Sequence, residues 1–109
     1  MARLVFSDGH IDLDETIIPK FKMIQMVTED CETTDIPISN VGRSTTEELV
    51  HFARCGTFTI QDPNQLLEIA LAANYYDYQE SMDEACKQIA TFLNNKSPQF
   101  IRRFLGLVA

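Results

Sequence analysis

Two histidines and three cysteines are the side chains of this 109-residue chain best suited to nucleophilic or zinc chemistry. A Cys–His pair needs the two groups close together and a third group to orient the imidazole. No local motif around His10 or His51 supplies either for Cys31, Cys55 or Cys86. His51 and Cys55 stand four residues apart on one predicted helix face, a spacing that can hold zinc. A structural zinc site takes four ligands, however, and the chain has no CxxC and no second paired ligand set. Gly9, Gly42, Gly56 and Gly106 are isolated, so no glycine-rich phosphate loop is present. The carboxylates of Glu47-Glu48 and of Asp83-Glu84 are neighbours along predicted helices and point in different directions. They suit solvated helix starts, where negative charge complements the helix dipole. No catalytic residue, metal or cofactor is expected. The remaining chemistry is that of binding, in the run Asn74-Tyr75-Tyr76-Asp77-Tyr78. Tyrosines at the polar end of an apolar helix suit an interface, because the ring buries while the hydroxyl finds a partner. The same rings can instead close the core of a single domain, and residue chemistry leaves both readings open.

These tyrosines end the stretch that organises the chain, residues 62–78, DPNQLLEIALAANYYDY. Asp62 is a candidate N-cap, Pro63 suits the first helical position, and Gln65 can reach back as in a capping box. From position 66 to 73 only Glu68 is polar, so the helix is expected to be buried on most sides. Burial of Leu66, Leu67, Ile69 and Leu71 would contribute roughly 1.5–3 kcal/mol each before entropy is set against it. Upstream, two β-prone runs at 3–7 and 11–13 flank Asp8-Gly9, a hairpin signal. Asp14 can cap a short turn through Ile18, which Pro19 interrupts. A helix from Lys20 would carry Phe21, Ile24 and Val27 and run into an acidic loop with Glu29, Asp30, Glu32 and Asp35. Ile36-Pro37-Ile38 reads as an edge strand. Ser44 with Glu47 fits a capping box for a helix bearing Leu49, Val50, Phe52 and Ala53, ended by Cys55-Gly56. Residues 57–60 form a connector with strand propensity. Downstream, Ser81 with Glu84 offers another capping box, and Met82, Ala85, Cys86, Ile89, Phe92 and Leu93 make an apolar stripe at helical spacing. Asn94-Asn95 breaks it, and Ser97-Pro98 opens a last helix with Ile101, Phe104 and Leu105 apolar, closed by Gly106. Such a helix pair can pack on the core or form a groove for a partner's apolar segment.

Composition narrows the class. Apolar content of 45% and charged content of 23% are ordinary for a globular chain, which argues against disorder. One domain is expected, with no linker and no internal repeat. A net charge of −7 without any basic stripe makes nucleic acid and anionic membranes poor partners. No segment is long and apolar enough to cross a bilayer, and MARLVFSDGH lacks the apolar core of a signal peptide. Three widely spaced cysteines suit reduced thiols in a cytoplasmic or nuclear protein. The residues by themselves describe an acidic α+β domain that works by binding.

Four blocks carry a resemblance: SDGH near the N-terminus, IPISNV at 36–41, LLEIALAANYYDY at 66–78, and ACKQIATFLNNKSPQFIRRFLGL at 85–107. Together they resemble the S-phase-kinase-associated adaptor family, BTB/POZ-fold subunits of SCF ubiquitin ligases. The resemblance implies an α+β BTB/POZ core over 1–78, a small sheet enclosed by helices, with C-terminal helices over 79–109 in one compact unit. It implies a scaffold that bridges a cullin N-terminal domain and an F-box protein in ubiquitin-dependent degradation. Asn74 and Tyr75 match the family's cullin-facing motif. Cys86, Ile89 and Leu93 match the helix face that packs on the F-box, and Ile101, Leu105 and Leu107 match its continuation. Two departures stand out. The family carries a long acidic, proline-rich loop and a short strand motif where Phe58 and Asp62 here follow Cys55 almost at once. It also continues past the equivalent of Leu107 into a helical tail with a terminal Trp, whereas this chain has no Trp. The C-terminal platform is thus truncated relative to the family. The alternatives are a self-associating BTB domain, weakly dimeric when free, and a competitor that occupies a cullin without F-box capture.

Overall fold

The alternation of apolar and polar residues in the first thirteen positions folds as an antiparallel hairpin. The structure is a computed structural model that describes residues 2–30 and 35–106. Strand β1 (Ala2–Phe6) buries Ala2, Leu4 and Phe6, and β2 (Gly9–Leu13) buries Leu13 against the same core. The register pairs Phe6 with Gly9, so the turn is Ser7-Asp8, one position earlier than the Asp-Gly signal implies. Gly9 itself adopts φ +152°, and a Cβ there would stand 3.4 Å from the Arg43 side chain. Strand β3 (Asp35–Pro37) lies parallel to β1 on its other side, giving the order β2-β1-β3. Ile38 extends the pairing by donating its amide to the Val5 carbonyl at 2.8 Å. Pro37 thus sits on an edge strand, where its missing N–H costs nothing.

The Asp14 carboxylate accepts the amides of Thr16 and Ile17 and the hydroxyl of Thr16. Those bonds, the hydroxyl's first, hold its carboxyl below the usual range. Pro19 lies inside the short 3-10 turn Ile18–Lys20 that follows, not at its end. Of the acidic residues predicted in a loop, Glu29 and Asp30 lie in the last turn of helix α1 (Lys22–Asp30) and Asp35 belongs to β3, while Glu32 lies outside the described residues. Helix α2 (Arg43–Cys55) starts at Gly42 with no side-chain cap, so Ser44 and Glu47 form no capping box. The Thr46 hydroxyl bonds back to the Gly42 carbonyl at 2.9 Å instead. Gly56 ends α2 in the left-handed region at φ 79°, as its position predicts. Residues 57–60 form no strand; they are held by Glu48, whose carboxylate accepts the Thr59 amide and hydroxyl. Glu48 is only 9% exposed, so it is a buried tether and not a solvated acid.

Helix α3 (Pro63–Tyr76) starts on Asp62, whose side chain accepts the Asn64 amide, with Pro63 at the first position. Helix α4 (Gln79–Leu93) opens at Tyr78, three residues ahead of the predicted capping box. Ser81 is buried within its first turn and donates to the Tyr78 carbonyl. Helix α5 (Pro98–Gly106) is capped by Ser97, whose hydroxyl oxygen accepts the Phe100 amide. One apolar cluster unites Leu4, Phe21, Leu49, Ile69 and Tyr76 with Ala85 and Ile89 of α4. The sheet and the helix pair α3–α4 therefore share a core.

Candidate interaction surfaces

The first surface is made by how α3 stops. Asp77 turns left-handed at φ 54°, a conformation Asp tolerates better than most residues. The Tyr78 amide then reaches back to the Ala73 carbonyl at 2.9 Å. Helical geometry consequently ends at Tyr76, two residues short of the expected limit. Consecutive tyrosines thus face different ways. Tyr76 is fully buried, its hydroxyl 2.8 Å from the Thr46 hydroxyl and its ring edge-on to Phe21 at 5.2 Å. Tyr78 is buried between Phe21 and Phe52. Burial pushes both phenols up to about 12. These two rings close the core. Tyr75 is half-buried, edge-on to Tyr76 at 5.2 Å, and Asn74 beside it is exposed. Asn74 and Tyr75 thus stand together at the surface on a backbone fixed by the buried tyrosine.

Sequence reasoning missed part of this face. Leu71, expected in the core, is 58% exposed, and Leu67 is only half-buried. The signal was present: Glu68, Leu71 and Tyr75 fall at i, i+3 and i+7, a single row along the helix.

The second surface lies on α4 and α5. The apolar stripe is split by the turn of the helix. Ala85 and Ile89 are buried, Met82, Phe92 and Leu93 are half-buried, and Cys86 is exposed. Ile89, at 7% exposure, belongs to the chain's own core, which leaves Cys86 and Leu93 as the accessible edge. On α5, Ile101 is half-buried. Leu107 lies outside the described residues, as does the side chain of Leu105. Phe100, which sequence reasoning did not single out, is 38% exposed and joins Phe92 and Phe104 in an aromatic cluster. Lys96 lies over the Phe92 and Phe100 rings at 5.2 and 5.4 Å.

Among the described residues no group of three or more His, Cys, Asp or Glu side chains is placed to hold a metal. His51 and Cys55 therefore gain no further ligands there. Cys55 and Cys86 are free and exposed. No described helix is long and apolar enough to cross a membrane.

Comparison with known proteins adds to this geometry. No protein-family model matches the chain. It is 32% identical to an S-phase kinase-associated protein 1 homolog of Tetrahymena thermophila, over 89% of this chain and 75% of that one. It is 28% identical to suppressor of kinetochore protein 1 of Schizosaccharomyces pombe, over 96% of this chain and 84% of that one. It is 30% identical to the E3 ubiquitin ligase complex SCF subunit sconC of Aspergillus terreus, over 95% and 83% of the two chains. In structure it is similar to the BTB domain of human gigaxonin, with a TM-score of 0.68 and 15% identity over 79% of this chain and 74% of that one. That likeness is one of fold, and the α+β BTB architecture expected from the sequence is the one observed.

Proposed function

The chain belongs to the S-phase kinase-associated protein family, and from that premise we propose that it is the adaptor subunit of an SCF-type ubiquitin ligase. It bridges a cullin N-terminal domain to an F-box protein that carries the substrate. The observation that carries this reading is the 32% identity to a family member across 89% of the chain. The geometry supports it with two separate surfaces, one at the end of α3 and one on α4 and α5, as a bridge requires. The Asn74-Tyr75 surface takes the cullin. The accessible edge of α4, Cys86 and Leu93, takes the F-box together with Ile101, Leu105 and Leu107. The adaptor contributes no catalytic group; it raises the local concentration of substrate at the ligase. It works in the cytoplasm and nucleus, where exposed thiols such as Cys55 and Cys86 stay reduced.

Co-purification with a cullin N-terminal domain and, separately, with an F-box peptide tests the proposal. Binding of both establishes the bridge. Binding of the cullin alone makes the protein a cullin-occupying competitor, and binding of neither removes the adaptor reading. The two surfaces are then separated by substitution. Tyr75→Lys weakens the cullin complex by about tenfold or more and leaves F-box binding intact. Leu93→Asp does the reverse, because it sets an unpaired charge at a half-buried apolar contact on the edge of α4.

A further inference from the structure

We propose that the cleft between the start of α3 and the aromatic face of α5 takes an acidic peptide segment, anchored by one aromatic or large aliphatic side chain. The cleft, of about 350 Å³, is lined by Pro63 on α3, by the ring of Phe92 near the end of α4, and by the rings of Phe100 and Phe104 on α5. That volume lies at the lower end of the roughly 300–1,000 Å³ of ligand sites and suits one ring with its flanking backbone. Phe100 is 38% exposed there, an aromatic group left in water at a concave surface. Cys86, Leu93 and Ile101 do not line the cleft. It is therefore separate from the proposed F-box edge, and the inference goes beyond the adaptor reading.

Charge selects the occupant. All sixteen acidic residues lie within the first 84 positions, whereas 85–109 carry Lys87, Lys96, Arg102 and Arg103 and no acid. Arg3, Arg43 and Arg54 meet carboxylates at 3.0 to 3.8 Å, but among the described residues no ion pair engages these four cations. Arg103 lines the cleft, and the Lys96 ammonium stands 5.2 and 5.4 Å from the Phe92 and Phe100 rings. The aromatic lining is thus bordered by two exposed cations that no described carboxylate neutralises. Basic clusters of this kind recognise acidic motifs. The one carboxylate at the cleft, Asp62, caps α3 by accepting the Asn64 amide, and it marks the wall that the ligand's acids avoid. A second copy docked by the same face would set Lys96 and Arg103 against themselves, so like charge disfavours self-pairing.

The test is titration of the peptide acetyl-Glu-Asp-Trp-Leu-Asp-Glu-amide with the full chain. The chain has no Trp, so the emission reports the peptide alone. A saturable blue shift that weakens as salt is added is the expected result. Arg103→Glu, at an exposed position, should weaken binding about tenfold or more, and Arg103→Lys should stay within about threefold. Phe100→Ser should weaken it by a similar factor to Arg103→Glu, and an analogue with Lys at every acidic position should not bind. Absence of binding by the parent, equal binding of the Lys analogue, or parent-like binding by both Phe100→Ser and Arg103→Glu overturns the proposal. Binding of the chain to vesicles of anionic phospholipid but not to the peptide overturns it in favour of a membrane surface. A concentration-dependent dimer in light scattering that Phe100→Ser abolishes overturns it in favour of a second copy. The adaptor reading stands or falls separately, on cullin and F-box binding.

Discussion

The end of α3 and the whole of α5 both present aromatic and apolar residues, yet they are anchored to very different degrees. At the end of α3, Tyr76 is fully buried and hydrogen-bonded, and Tyr78 is wedged against Phe21 and Phe52. Anything displayed there, Asn74 and Tyr75 above all, moves only if the core moves. Along α5, Phe104 is the one buried side chain among those described. What joins α5 to α4 is the Phe92–Phe100–Phe104 cluster, with centroids 5.6 to 6.4 Å apart, and the Lys96 ammonium above two of its rings. Interactions of that kind are worth roughly 0.5–1.5 kcal/mol per aromatic pair and about 0.5–1 for an exposed cation–π contact. An amphipathic pattern in sequence is therefore no measure of rigidity. One surface is set by the core, and the other is joined to it by weaker contacts that open at modest cost.

The largest expected effect tests where the rigid part ends. Ile89→Asp places a carboxylate at a side chain 7% exposed within the shared core. Its cost, on the order of 4 kcal/mol or more, is comparable with the whole stability of a small domain. Circular dichroism should show loss of the cooperative fold, and both partner complexes should fail. A variant that melts like the parent would move Ile89 out of the core and class α4 with α5. The next effect is local. Phe104→Ala removes the one described buried anchor of α5, a loss of roughly 3–5 kcal/mol to that helix. Hydrogen exchange should show α5 amides unprotected, while the main thermal transition stays within a few degrees of the parent. A large drop in that transition would make α5 part of the cooperative core and erase the contrast.

The same contrast explains what was legible in the sequence. Caps whose chemistry is complete within a few residues were readable: Asp62-Pro63 at α3, Gly56 after α2 and Ser97-Pro98 at α5. Capping boxes inferred at Ser44 and Ser81 were not formed, because the motif cannot tell which serine starts the helix and which one is carried into it. Burial of Glu48 depends on Thr59, eleven residues away, and no local pattern announces a tether of that length. Along the α4 stripe, Cys86 and Ile89 share one periodic signal, and only the packing of α3 against α4 separates the exposed residue from the buried one. Leu71 failed for the opposite reason. Its helix is apolar enough to bury on every side, and none of the described residues covers the row it shares with Glu68 and Tyr75.

The smallest effect probes the anchor directly. Tyr76→Phe keeps the ring against Phe21 and deletes the hydroxyl, and the Thr46 hydroxyl retains its bond to Gly42. The cost at neutral pH should be about 1 kcal/mol in chemical denaturation. The pH dependence carries the sharper information. Tyr76 and Tyr78 are both pushed up to about 12 by burial, whereas an unfolded phenol titrates near about 10. The folded state thus binds these protons more tightly than the unfolded one. Their stabilisation is fully present below about pH 10 and is lost as pH climbs from there toward about 12. Removing one of the two phenols should make the alkaline decline shallower, so the gap between parent and variant narrows above about pH 10. Parallel declines would mean that the Tyr76 hydroxyl already titrates freely in the folded chain. The last turn of α3 would then be held no more firmly than α5, and the surface set by the core would lose its foundation.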